Sequence, residues 1–144
     1  RRAVYAASLR GEAFLEIGGF DPSLPLEDID CWLRLSTRYA IARIPEVLAS
    51  YRKHPENSLR QRQKMLGAFF ITYAKFLEAN PGLIPPTEVK RHFRWHLHRF
   101  WRRIRGRAPW QLSNYAMAML SSLLRTPCPD DYRRFGVILL GATK

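Results

Sequence analysis

Acidic residues are scarce in this chain, and the scarcity is local. Residues 59–144 hold four Asp/Glu against sixteen Lys/Arg, whereas residues 1–58 hold eight of each, so the whole formal charge of +12 lies in the second part. That shift predicts two units, residues 1–58 and a basic extension over 59–144. Cysteine is also scarce. Cys31 and Cys128 are far apart and lack metal-ligand spacing, so both read as reduced thiols, which fits a cytoplasmic protein. No apolar run approaches the length that spans a bilayer, and no signal peptide is visible. The chain starts at Arg1 without an initiator Met, and we expect a piece of a longer protein.

What is present centres on Gly18-Gly19-Phe20-Asp21 and, after a turn, Glu27-Asp28-Ile29-Asp30-Cys31-Trp32-Leu33-Arg34. Two glycines suit the left-handed backbone that ends a helix, so a helix over Glu12–Ile17 closes there. Asp21-Pro22 and Pro25 hold the chain in turns. From Glu27 a new helix is predicted, with Ile29, Trp32, Leu33 and Ser36 on its apolar face and Arg34 and Arg38 elsewhere on its surface. Glu27, Asp28 and Asp30 then crowd the positive end of a helix dipole, where carboxylates also serve as ordinary caps. Short strands are predicted at Val4–Leu9, Tyr39–Pro45 and Val47–Arg52.

The order G-G-F-D, E-D-x-D-x-W-L-R, strand, then Tyr51-Arg52-Lys53-His54 resembles the acceptor-side part of a family 2 glycosyltransferase of the GT-A fold, from about Tyr5 to Ser58. The resemblance implies an α/β remnant, the C-terminal part of a GT-A domain, whose nucleotide-binding half with its metal-binding Asp-x-Asp would precede Arg1. It further implies inverting transfer of a sugar from a nucleotide-diphosphate donor to a glycan hydroxyl, with a divalent ion, Mg or Mn, in the full-length enzyme. Asp28 takes the position of the catalytic base, and Glu27 and Asp30 would position it or bind acceptor hydroxyls. Trp32 is expected to pack rather than to stack on sugar. Arg52 and Lys53 would face the diphosphate, and His54 could offer an imidazole to the metal. Asp28-Ile29-Asp30 is itself a false Asp-x-Asp, because residues two apart on a helix point to different sides.

The basic part reads as an all-α extension of three to four helices. Asn57, Ser58 and Gln61 form a capping signature for a helix that carries Leu66, Phe69, Phe70, Tyr73 and Leu77 and stops at Asn80-Pro81-Gly82. A second helix, Glu88–Arg105, puts Val89, Phe93, Leu97, Phe100, Trp101 and Ile104 on one face and Lys90, Arg91, Arg94, Arg99, Arg102, Arg103 and Arg105 on the others. Pro109–Leu124 and Pro129–Leu140 follow, each with a proline where the first turn tolerates it. His92 and His96 could face one metal, but no third ligand is evident.

The basic helix supports three readings: a solvated cationic face, attachment of 88–107 to an anionic membrane surface with Trp95, Trp101 and Trp110 at the interface, or nucleic-acid binding. No DNA or RNA motif supports the third, which ranks below lipid at the inner face of the membrane. The competing functional reading is thus a non-catalytic basic helical module, with the E-D pair a helix cap.

Overall fold

The computed structural model of the chain describes residues 7–46, 48, 62–104, 116–120, 122 and 125–141. Five helices organise them: α1 (Gly11–Glu16), α2 (Glu27–Ser36), α3 (Arg62–Ala79), α4 (Pro86–Ile104) and α5 (Pro129–Gly141). Residues 116–120 are helical as well.

Local chemistry sets most helix ends. After α1 the Gly19 N–H donates to the Phe14 carbonyl at 2.9 Å and the Gly18 N–H to the Leu15 carbonyl at 3.0 Å. With φ of 82° at Gly18 and 70° at Gly19, this is a Schellman stop that only residues tolerant of positive φ form cheaply. Gly82, at φ 78°, serves the turn after α3, where Asn80 Nδ2 also donates to the Phe76 carbonyl at 2.8 Å. Before α5 the Cys128 N–H donates to Asp131 Oδ2 at 2.8 Å, the backward half of a capping box, and Arg125 holds both oxygens of the same carboxylate.

The α/β expectation is overturned. Among the described residues every element is a helix, and no strand or bridge forms. Tyr39–Pro45, expected as a strand, runs irregular and exposed, as does Ala7–Leu9 at the end of the first expected strand. A strand exists only through a ladder with a neighbour, and no described segment supplies one. Leu48 is irregular and exposed; the rest of the Val47–Arg52 strand, and the Asn57–Gln61 capping signature, lie outside the described residues.

The main core joins α3, α4 and α5: Leu66, Phe70 and Ala74 meet Val89, Phe93 and Leu97 on one side and Tyr132, Phe135 and Leu139 on the other. A satellite core of Ala13, Cys31 and Leu35, with Phe14, Ile17 and Trp32 against it, holds α1 to α2. Trp32 therefore packs, as expected. The buried face of α2 differs from the expected one, since Asp30, Cys31 and Leu35 are inside while Ser36 is exposed. Burial also wraps further round α3 than its expected stripe, taking in Ala68, Thr72 and Phe76, because α3 touches α2, α4 and α5 at once.

α3 and α5 cross at two glycines. A Cβ added to Gly136 would lie 2.7 Å from Ile71 Cγ1 and 2.9 Å from the Gly67 carbonyl oxygen, and one added to Gly67 would lie 2.9 Å from the Gly136 oxygen. Backbone cannot move aside as a side-chain tip can. Gly136→Ala is expected to destabilise the chain by about 1–3 kcal/mol despite alanine's better helix propensity. Gly11→Ala, with nothing within 4 Å of the new methyl, is expected to leave stability unchanged or raise it. Urea melts of both variants check this, and equal midpoints would contradict the close crossing.

Candidate functional site

The three acids at the start of α2 have separate fates. Asp30 is 2 % exposed. Its Oδ2 accepts from Arg34 Nε at 2.7 Å, and its Oδ1 lies 3.3 Å from Lys75 Nζ, which comes from the middle of α3. Lys75 also donates to Asp21 Oδ2 at 2.6 Å. Arg34 continues the network into the glycine turn, donating through Nη2 to the Gly19 carbonyl at 2.6 Å and through Nη1 to the Ile17 carbonyl. One buried carboxylate thereby ties the end of α1, the start of α2 and the face of α3.

The electrostatics follow from these contacts. The hydrogen bond from Lys75, then those from Ser23, hold the Asp21 carboxyl well below the usual carboxylate range. Burial works against the Lys75 ammonium, yet the hydrogen bonds and charges of Asp21 and Asp30 outweigh it and raise its pKa above the ordinary value. Burial pushes the Cys31 thiol up, which makes it a core residue rather than a nucleophile.

Glu27 and Asp28 are exposed, and among the described residues neither joins an ion pair. Asp28 Oδ1 accepts from the Ile29 N–H at 2.8 Å, so the carboxylate sits over the open end of the helix. Asp28 and Asp30 point apart, one to solvent and one inward, as the helical spacing requires. One expectation needs correcting: Arg34 is a half-buried clamp rather than a surface residue, and it holds Asp30 inside the protein. The spacing of Asp30 and Arg34, four apart on a helix, was the available signal for that clamp. Nothing in sequence points from Asp30 to Lys75.

Arg52, Lys53 and His54 lie outside the described residues. The divalent ion implied by the resemblance finds no ligand set among the described residues, where no three His, Cys, Asp or Glu side chains come together. Both oxygens of Asp30 are already committed to cations.

His96 is buried in the core, and His92 beside it is partly buried. Their Nε2 atoms are 3.0 Å apart, and His92 Nδ1 is 3.5 Å from the Tyr132 hydroxyl, which donates to the Val89 carbonyl at 3.0 Å. One tautomer set fits: His92 donates through Nδ1 to Tyr132, His96 donates through Nε2 to His92, and His96 Nδ1 is left as the buried atom without a partner. The rings of Phe69, Phe70 and Tyr73 surround them. Phe93 and Leu97, on the expected apolar face of this helix, are consumed in the main core, while Trp95, expected at an interface, is 45 % exposed with the Arg99 guanidinium 4.6 Å over its ring. No helix among the described residues is long and apolar enough to cross a membrane.

Compared with protein-family models, with curated proteins and with solved structures, the chain matches none of them.

The histidine pair generates a pH prediction. Burial, helped by the neighbouring Arg91, lowers His92 to about 4, and burial, with the charges of His92 and Arg99, lowers His96 to about 3. A depressed histidine pKa means that the unfolded chain binds more protons than the folded one between those values and the ordinary 6.5, so stability rises with pH across that window. From pH 6.5 down to 4.5 the chain is expected to lose about 3 kcal/mol, with most carboxylate effects still to come at lower pH. Urea unfolding at both pH values reads the loss. A His92→Phe, His96→Phe variant is expected to flatten the slope, and an unchanged slope would contradict the neutral buried pair.

Proposed function

We propose that this chain supplies the base-carrying, acceptor-side element of an inverting glycosyltransferase, which moves a sugar from a nucleotide-diphosphate donor to a hydroxyl of a glycan acceptor. The observation that carries the reading is the division of labour within E-D-x-D. Asp30 is buried and doubly ion-paired, whereas Glu27 and Asp28 stand exposed on the helix end that it anchors. A general base needs such placement: a carboxylate open to substrate, carried on an element whose orientation is fixed elsewhere.

In this mechanism the acceptor hydroxyl docks against Asp28 and its oxygen attacks the anomeric carbon of the donor. Asp28 accepts the hydroxyl proton as the new C–O bond forms. The bond to the diphosphate breaks, its electron pair leaves with the nucleotide, and the anomeric configuration inverts. Glu27, one residue back on the exposed helix end, accepts hydrogen bonds from other acceptor hydroxyls. Asp30, Arg34 and Lys75 are positioning residues. Asp21 shares Lys75 with Asp30, so the G-G-F-D turn and the E-D-x-D helix act as one unit.

A second reading has one observation in its favour. Asp28 Oδ1 engages the Ile29 N–H, as a residue at a helix start does when it only satisfies open backbone donors. The chain would then be a non-catalytic basic module for an anionic membrane or nucleic acid.

One substitution separates the two. In the full-length enzyme Asp28→Asn keeps shape and hydrogen bonding but cannot take the proton, so kcat is expected to fall at least about a hundredfold with KM and the melting temperature little changed. Near-normal turnover in a well-folded Asp28→Asn enzyme would reject Asp28 as the base.

A further inference from the structure

A cavity of about 530 Å³ opens where α2, α3 and α4 meet. Its walls are Leu33, Tyr73, Phe76, Leu77, Val89 and Trp95. None of Glu27, Asp28 and Asp30 lines it, so whatever it holds is independent of the catalytic reading.

Size and charge narrow the occupant. A cavity of about 150 Å³ suffices for benzene, and drug-sized ligands occupy clefts of about 300–1,000 Å³. This one therefore suits a molecule of two or three rings. The charged residues lining it, Glu88 and Arg91, form an ion pair with each other, so the lining offers no net charge to an anion or a cation. His92 adds none near neutral pH, and its two ring nitrogens are already turned to His96 and Tyr132. The Ser36 hydroxyl donates to the Leu33 carbonyl at 2.7 Å. What remains for a ligand is mainly apolar surface, shared between the aliphatic Leu33, Leu77, Ile84 and Val89 and the aromatic Tyr73, Phe76, His92 and Trp95, whose indole is half exposed.

We infer that this cavity is a binding site for a neutral, largely apolar molecule of two or three rings. The ligand enters beside Trp95 and packs against the aliphatic and aromatic walls, and a charged group on it is disfavoured because the lining has no unpaired counter-charge. The rest of the chain is strongly basic, so an anionic probe has a different place to go, the cationic surface, and salt screens it there.

The test titrates the intact chain with N-phenyl-1-naphthylamine, a neutral dye that fluoresces in apolar surroundings. Its sulfonated counterpart, 1-anilinonaphthalene-8-sulfonate, has the same ring skeleton and carries a negative charge. The neutral dye is expected to saturate one site per chain with an affinity unchanged by added salt, and the sulfonate to bind that site at least tenfold more weakly. Ser36→Trp and Ile84→Trp, which fill the cavity from α2 and from the α3–α4 turn, are each expected to weaken the neutral dye at least tenfold. Leu15→Trp, on the exposed face of α1, is expected to change nothing. Thermal melts accompany each variant. Should Ser36→Trp melt early, Ile84→Trp decides. No saturable binding of the neutral dye, tighter binding of the sulfonate that survives added salt and is lost in Ile84→Trp, or undiminished binding in a well-folded filling variant would each overturn the site.

Discussion

The seating of α2 on α3 turns on the contact between Asp30 and Lys75. A carboxylate this deeply buried is tolerable only with its charge matched and its oxygens occupied. Arg34 takes one oxygen and Lys75 the other, and Lys75 is shared with Asp21. Such a knot adds little net stability over a well-packed apolar substitute, but it tolerates few geometries. Removing Lys75 leaves the buried Asp30 carboxylate one partner short, whereas Lys75, itself 40 % exposed, can turn to water and Asp21. Its effect is to fix where α2 lies on α3.

That fixed placement explains both features with functional content. The satellite core under α1 and α2 is small and separate from the main core of α3, α4 and α5. The two cores are separate clusters, and a cavity lined by Leu33 of α2, Phe76 of α3 and Trp95 of α4 opens where these helices meet. At the other end of α2 the same anchor holds the first turn still, with Glu27 and Asp28 turned outward. On the proposed reading, an exposed carboxylate whose orientation is set by a buried neighbour is the arrangement that general-base chemistry asks for.

The sequence was most legible where structure is decided within a few residues. Gly18-Gly19 end α1, Glu27 opens α2, and Pro129 starts α5, all close to where local chemistry puts them. Tyr39–Pro45 was misread as a strand because alternation and β-propensity describe only half of a ladder, and this segment has no partner among the described residues. The stripe on α3 was read as one face because periodicity assumes one core, while this helix is enclosed by neighbours on several sides. Of the site, the division between Asp28 and Asp30 followed from helical geometry. The role of Asp30 did not, since its partner Lys75 is remote in sequence and no local pattern joins them. The neutral character of His92 and His96 likewise comes from the aromatic packing around them, which spacing alone does not disclose.

The most direct measurement is a double-mutant cycle on Asp30 and Lys75 in the intact chain, using Asp30→Asn, Lys75→Met and the pair, with unfolding free energies from urea melts at pH 7. If the ion pair is the constraint that seats α2 on α3, Lys75→Met is destabilised because Asp30 stays buried with one partner fewer, Asp30→Asn is destabilised less because Lys75 is part-exposed, and the double variant loses less than their sum, with a coupling of at least about 1 kcal/mol. Additivity within about 0.5 kcal/mol would contradict the account, because it would mean that α2 is held by packing alone and that Asp28 owes its position to nothing in this network.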